Sequence, residues 1–141
     1  KLDRLHIPRF PNFDSDRAYL PARPVGSPEL FRDVYPPFRS VEEVIIWEVI
    51  QQYNEHWQPM VDVFGGPGIQ GGTEIDFYNG ILRIAIYADG PPHLDPTVAA
   101  RDKVLRKAVE QIGLKVLAFQ YRTPEEVVSL FPEWYADNIN A

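Results

Sequence analysis

Cysteine is absent from this chain of 141 residues. Its absence excludes disulfide bonds, zinc sites built on thiolates, and catalysis by a cysteine nucleophile. A metal ion would therefore have to be held by carboxylates, histidine, backbone carbonyls or water. The lack of cysteine is also compatible with a reducing compartment such as the cytoplasm.

Long hydrophobic runs are missing as well. Although 45% of the residues are hydrophobic, no stretch approaches the roughly 18 to 20 apolar residues that a membrane-spanning helix needs. The first residues, Lys1 to Arg4, lack the apolar run of a secretory signal. We expect a globular protein that is neither secreted nor in a membrane, and that is long enough for one domain with a real core.

Positive charge is scarce in most of the chain. Residues 40–141 carry seven Lys and Arg against fifteen Asp and Glu, a net charge of −8, whereas residues 1–39 carry seven against five, a net charge of +2. Non-specific binding to nucleic acid comes mainly from Lys and Arg that neutralise phosphates. The excess of acidic residues therefore counts against a broad nucleic-acid-binding surface. It does not exclude one small basic face.

The composition changes near residue 40. Seven of the fourteen prolines fall within residues 1–39, and six phenylalanines and tyrosines accompany them. Prolines at this density prevent helices and sheet pairing, so we expect extended backbone. Disordered tails are poor in aromatic residues, so this composition indicates an arm that docks. The arm either packs across its own domain or reaches a neighbouring subunit or another protein partner.

Residues 40–141 are predicted to form an α/β domain with a mixed β-sheet flanked by helices. Ser40 and Glu43 form a capping box, which predicts that a helix begins at the next residue after Ser40. Residues 73–88 are predicted to form a hairpin around an Asn79-Gly80 turn. The second strand of this hairpin is apolar almost throughout, which is typical of a central strand that is covered on both faces.

The remainder of the chain alternates helix and strand. A helix is predicted over 97–111, with Gly113 ending it in a left-handed cap. A strand over 114–119 follows, and Thr123 and Pro124 predict the start of a last helix. A strand, a helix and a second strand in this order form a β-α-β crossover, so the two strands should be parallel neighbours.

Four side chains, Glu43, Asp76, Asp89 and His93, are candidates for a metal-dependent site. Asp76 and Asp89 lie near the ends of two adjacent strands, and Glu43 lies in the first turn of a helix predicted to pack on the sheet. Carboxylates brought together in this way hold hard cations such as Mg²⁺. Phosphodiester hydrolysis uses such a metal together with a base that activates water, a role that suits His93. Taken singly, each residue is more often a turn or capping residue.

Five segments, in order, resemble the short-patch-repair-like branch of the PD-(D/E)XK nuclease superfamily. They are residues 40–47 (SVEEVIIW), 74–77 (EIDF), 84–93 (IAIYADGPPH), 101–103 (RDK) and 113–117 (GLKVL). The similarity extends from residue 40 over about two thirds of the chain. It implies a restriction-endonuclease-like fold and a Mg²⁺-dependent DNA endonuclease, with Asp76 as the metal-binding aspartate.

The third of these segments departs from the family pattern at two positions. Tyr87 stands where the family has its second acid, and Asp89 stands where the family has lysine or its substitute. A neutral phenol is a poor ligand for Mg²⁺. In the short-patch repair enzymes a backbone carbonyl resembles a substitute for the missing carboxylate, so the resemblance implies a site made of Asp76, Asp89 and the Ala88 carbonyl. Such a reduced site should bind metal weakly.

Positive charge in the domain is concentrated at Arg101, Lys103, Arg106 and Lys107. On a helix, residues 103, 106 and 107 share one face, because side chains three and four positions apart are neighbours. That face is a candidate for contact with the phosphates of DNA. The alternative is an ordinary solvated helix surface.

Two functions remain open. In the first, the domain is a non-catalytic descendant of a nuclease that serves in binding or assembly. This function is favoured by the neutral Tyr87 at the position of the family's second acid, by the negative charge of the domain and by the arm. A multi-subunit particle such as a phage virion is a natural setting for such a protein. In the second, it is a divergent Mg²⁺-dependent DNA endonuclease, with Asp76, Asp89 and the Ala88 carbonyl holding the metal and His93 activating water.

Overall fold

A computed structural model describes residues 37–63 and 73–139. The predicted arm spans residues 1–39, and residues 1–36 lie outside the described residues, so the arm stays a prediction. Within the described part, residues 37–55 and 123–139 form one compact unit and residues 56–122 form another. No helix among the described residues is both long and apolar enough to cross a lipid bilayer.

The described residues form three α-helices, four strands and one short 3₁₀ helix, an α/β arrangement as predicted. Their order is α1 (Val41–Ile50), β1 (Trp57–Val63), β2 (Thr73–Asn79), β3 (Ile84–Asp89), the 3₁₀ helix (Pro91–Leu94), α2 (Pro96–Gln111), β4 (Lys115–Gln120) and α3 (Pro124–Asn138). The strands form one mixed sheet in the order β1-β2-β3-β4.

The first unit is built on α1 and α3, which pack against each other. Tyr53 and Tyr135 stack with their ring centroids 4.4 Å apart, and Phe131 is fully buried beside Tyr135. Phe38 packs against Trp47 at 6.0 Å. Aromatic side chains of this size bury a large apolar area, and their contacts hold the two helices together.

Local capping signals determine where the helices begin. The Ser40 hydroxyl accepts a hydrogen bond from the Glu43 backbone N–H at 3.3 Å, and the Thr123 hydroxyl accepts one from the Glu126 N–H at 3.2 Å. Both predicted caps are confirmed. Helix α2 begins slightly earlier than predicted, because the Asp95 carboxylate caps it by accepting from the Thr97 N–H at 2.9 Å.

The second unit is the mixed sheet together with α2. Strands β1, β2 and β3 are successive antiparallel neighbours, and β4 lies parallel to β3. Helix α2 is the crossover between β3 and β4, and it ends just before Gly113, which has a φ of 101°. Both the crossover and the left-handed end of α2 are therefore confirmed. All six residues of β3 are buried, as expected for a strand with a neighbour on each side.

The predicted Asn79-Gly80 turn is wrong, although the hairpin itself is confirmed. Asn79 is the last residue of β2 and pairs directly with Ile84, so residues 80–83 form a longer loop. The buried Asn79 side chain causes this difference, because its Oδ1 atom accepts from the backbone N–H groups of Ile81 at 3.1 Å and Leu82 at 2.9 Å. The side chain thereby organises the loop in the way that asparagine commonly does in turns.

We predict that Asn79→Ala lowers the free energy of unfolding by about 1 to 3 kcal/mol, because two loop N–H groups lose their acceptor. Chemical denaturation of the purified protein measures the change. Asn138→Ala is the matched control, since Asn138 is exposed at the end of α3, and it should change stability by less than about 0.5 kcal/mol. Equal effects of the two substitutions would contradict the role assigned to Asn79.

Candidate functional site

A buried ion pair lies at the carboxyl end of β3. The Asp89 side chain is only 6% exposed, and both of its oxygens accept hydrogen bonds from the Arg106 guanidinium, at 2.7 and 2.6 Å. Arg106 reaches this carboxylate from α2, which packs on the sheet through Ala108 and Val109. Two parallel N–H···O bonds of this kind are the strongest pairing that arginine makes with a carboxylate.

Tyr87 lies beneath the same guanidinium. It precedes Asp89 by two positions on β3, so the two side chains share a face of the sheet. The Arg106 guanidinium carbon is 4.2 Å from the centre of the Tyr87 ring, in a cation–π arrangement. The Tyr87 hydroxyl is buried and has no hydrogen-bond partner within the part of the chain that the structure describes.

Burial and charge together keep Tyr87 neutral and Arg106 charged. Burial, opposed by the Arg106 charge and assisted by Asp76, Asp102 and Asp89, raises the pKa of Tyr87 to about 12. Burial would lower the pKa of Arg106, but the hydrogen bonds and the charge of Asp89 raise it above its ordinary value. The phenol therefore stays protonated at neutral pH, and the guanidinium is a permanent cation in the site.

His93 joins the site from the 3₁₀ helix that follows β3. Its Nδ1 atom is 2.6 Å from the Asp102 carboxylate on α2 and 3.7 Å from the Asp89 carboxylate. Because an ionised carboxylate only accepts hydrogen bonds, the Nδ1–H group of His93 is the donor in the bond to Asp102. The His93 side chain is 33% exposed, so a molecule from solution can reach it.

The charged groups alternate in sign along a continuous chain of contacts. Asp102 lies one helical turn before Arg106 on α2, and its carboxylate is 3.8 Å from the guanidinium. His93, Asp102, Arg106 and Asp89 therefore form one network, in which each charge has a neighbour of opposite sign or a hydrogen bond. Asp89, His93 and Asp102 each offer one ligand atom, and these three atoms lie within 4.8 Å of one another.

Asp76, which we predicted as a metal ligand, bonds to the backbone of the neighbouring strand. Its Oδ2 atom accepts a hydrogen bond from the Ala88 N–H at 2.8 Å. Ala88 itself is buried in β3 and pairs with Phe119 of β4. The carboxylate of Asp76 thus acts as a bridge between β2 and β3.

Of the remaining predicted site residues, Glu43 belongs to the first unit, where its carboxylate accepts a hydrogen bond from the Arg39 backbone N–H at 2.7 Å. Arg101, Lys103 and Lys107 are exposed along α2. Arg106, which we predicted to share a phosphate-binding face with Lys103 and Lys107, is instead half-buried and bonded to Asp89.

Asp102 is the one member of the network that we did not predict as a site residue. The sequence places Asp102 one helical turn before Arg106 on α2, so that the two charges share one face of the helix. That spacing is common on solvated helices and therefore did not distinguish Asp102. Only the fold, which brings α2 over the end of β3, identifies its partners His93 and Arg106.

Comparison with models of protein families, with curated proteins and with solved structures finds no match for the chain.

We predict that Asp89→Asn lowers the free energy of unfolding by about 3 kcal/mol, because it leaves the Arg106 guanidinium half-buried without its carboxylate. Asp62→Asn is the control, since Asp62 is exposed on β1 of the same unit, and it should change stability by less than about 0.5 kcal/mol. Urea denaturation of both variants beside the wild type measures the difference. A loss below about 1 kcal/mol for Asp89→Asn would contradict a structural role for the pair.

The raised pKa of Tyr87 predicts a loss of stability at high pH. An unfolded tyrosine loses its proton near its ordinary pKa of about 10, whereas the folded one keeps it up to a pKa of about 12. Above pH 10 the unfolded chain binds fewer protons, so stability falls as the pH rises and the loss is complete near pH 12.

Relative to Tyr87→Phe, the wild type should lose about 2 to 3 kcal/mol of unfolding free energy across this range. Denaturation of both proteins between pH 9 and 12 measures the loss, and the phenolate absorbance of the wild type minus that of the variant follows the titration directly. Titration of Tyr87 near pH 10 in the folded protein would contradict the prediction.

Proposed function

We propose that this protein is a non-catalytic descendant of the PD-(D/E)XK nuclease fold that serves in binding or assembly within a larger complex, such as a phage particle. The observation that carries the proposal is the bidentate bond between Asp89 and Arg106, at 2.7 and 2.6 Å. A metal-dependent nuclease needs a divalent cation at its carboxylates. In this chain an arginine side chain supplies the positive charge there.

The other acidic positions support the same conclusion. The Asp76 Oδ2 atom accepts a hydrogen bond from the Ala88 N–H at 2.8 Å. Tyr87, at the position where the family resemblance calls for an acid, is a protonated phenol whose pKa is raised to about 12 by burial first of all. Mg²⁺ requires near-ideal octahedral coordination by oxygen atoms, with carboxylates contributing the charge. Tyr87 offers no carboxylate for that purpose, and one oxygen of Asp76 already accepts a backbone hydrogen bond.

Charge and composition support a role in assembly. Residues 40–141 carry a net charge of −8 and residues 1–39 a net charge of +2, so the two parts attract rather than repel each other across subunits. Proline and aromatic residues in the arm suit it to bind an apolar surface in extended form. On this proposal the arm binds a protein partner or a second copy of the chain.

A second candidate function is favoured by one specific observation. Asp89, His93 and Asp102 offer ligand atoms within 4.8 Å of one another, and Asp102 orients His93 as it would orient a general base. A divergent Mg²⁺-dependent DNA endonuclease would use these groups after displacement of Arg106. The exposed Arg101, Lys103 and Lys107 on α2 would then contact the phosphates of DNA.

The two candidates predict opposite results for metal binding and DNA cleavage. If the domain is non-catalytic, calorimetry on the full chain should detect no binding of Mg²⁺ or Mn²⁺ at millimolar concentrations, and plasmid DNA should remain supercoiled in the same buffers. Binding and nicking that both disappear in Asp102→Ala, a change to one of the three ligands, but persist in the exposed control Asp62→Ala, would overturn the proposal and establish the endonuclease.

A further inference from the structure

We propose that Asp89, Asp102 and the Nδ1 atom of His93 form a divalent metal site of the Zn²⁺ type, and that the Arg106 guanidinium keeps this site closed. This inference rests on the proposed function, because it identifies the group that replaces the metal of a nuclease. It adds a ligand set that differs from the predicted set of Asp76, Asp89 and the Ala88 carbonyl.

The distances between the three ligand atoms suit a small cation. Neighbouring ligands in a tetrahedral zinc site are about 3.4 Å apart, since each lies about 2.1 Å from the metal. His93 Nδ1 is 3.7 Å from Asp89 Oδ1 and 2.6 Å from Asp102 Oδ2. All three ligand atoms lie within 4.8 Å of one another, so binding of a metal requires shifts of these side chains by about 1 Å, together with the exchange of the Nδ1 proton for the metal.

The space filled by the guanidinium already has the properties of a cation site. It is bounded by both oxygens of Asp89, by Asp102 at 3.8 Å and by the face of the Tyr87 ring at 4.2 Å. A carboxylate as buried as Asp89, with a side chain 6% exposed, stays ionised only beside a cation. Arg106 and a metal ion would therefore compete for the same carboxylates.

The Tyr87 hydroxyl provides an independent indication that this site takes a further group. Tyr87 is 6% exposed, and its hydroxyl has no hydrogen-bond partner among residues 37–63 and 73–139. The Arg106 guanidinium carbon lies 4.2 Å from the centre of the Tyr87 ring, so the phenol borders the cluster. A buried hydroxyl without a partner is uncommon in folded proteins, and a water bound to a metal at this cluster would supply one.

The ligand types select the metal. An imidazole nitrogen with two carboxylates suits Zn²⁺, whereas Mg²⁺ prefers oxygen ligands alone. His93 is the only one of the three ligands that is not an acid, and it therefore provides the selectivity. We expect removal of the Arg106 charge to increase the affinity for Zn²⁺ more than the affinity for Mg²⁺.

The test is Zn²⁺ binding to the full, untagged chain, measured by competition with a chelating dye. Arg106→Met removes the charge and keeps the aliphatic stem, and it should bind Zn²⁺ at least tenfold more tightly than the wild type. Arg106→Lys, whose single ammonium group cannot bond both Asp89 oxygens in the same way, should be intermediate. Lys107→Met is the matched control, because it removes an exposed charge from the same helix, and it should stay within twofold of the wild type.

The ligand set is tested by adding His93→Ala to Arg106→Met, which should abolish the gain in affinity. The proposal is overturned if neither Arg106 variant binds Zn²⁺ more tightly than the wild type, or if the gain survives His93→Ala. Circular dichroism checks the fold of each variant, and Arg106→Lys decides the question if Arg106→Met does not fold. Nicking of DNA by the wild type would reject the proposed function instead, and it would leave this comparison of variants intact.

Discussion

The buried carboxylate of Asp89 is the constraint on which the second unit depends. A charge at the end of a fully buried strand requires a cation within bonding distance, and Arg106 meets that requirement with two hydrogen bonds. The orientation of α2 that allows this bond is also the one in which Ala108 and Val109 lie in the core and Asp102 contacts His93.

The same constraint accounts for the chemistry of the site. Both carboxylates of the network have a partner, since Asp89 binds Arg106 and Asp102 binds His93. Sites that perform metal catalysis have carboxylates that are free to bind the metal, and they leave at least one coordination position of the metal unfilled by the protein. Here the His93 ring is partly exposed to solvent, whereas the carboxylates of Asp89 and Asp102 already bind Arg106 and His93. This balance supports the proposed function in binding or assembly.

Features encoded by neighbouring residues could be predicted from the sequence, whereas features that depend on distant partners could not. The caps at Ser40 and Thr123, the left-handed end at Gly113 and the burial of β3 all follow from local patterns. The loop after Asn79 differs because its side chain, rather than Gly80, organises the turn. Helical spacing grouped Arg106 with Lys103 and Lys107, but its partner Asp89 lies on a strand 17 residues away, and only the crossover brings them together.

The order of the two units along the chain affects how the protein emerges from the ribosome. Residues 56–122 are continuous, so every strand of the sheet is available before α3 has been synthesised. Helix α1 packs against α3, which is made after the sheet, although Val44, Ile45, Ile46 and Val49 of α1 are all buried in the folded protein. Until α3 is made, these side chains lack its cover, and exposed apolar segments of this kind aggregate or bind chaperones. Helix α1 therefore needs protection while the sheet is being synthesised.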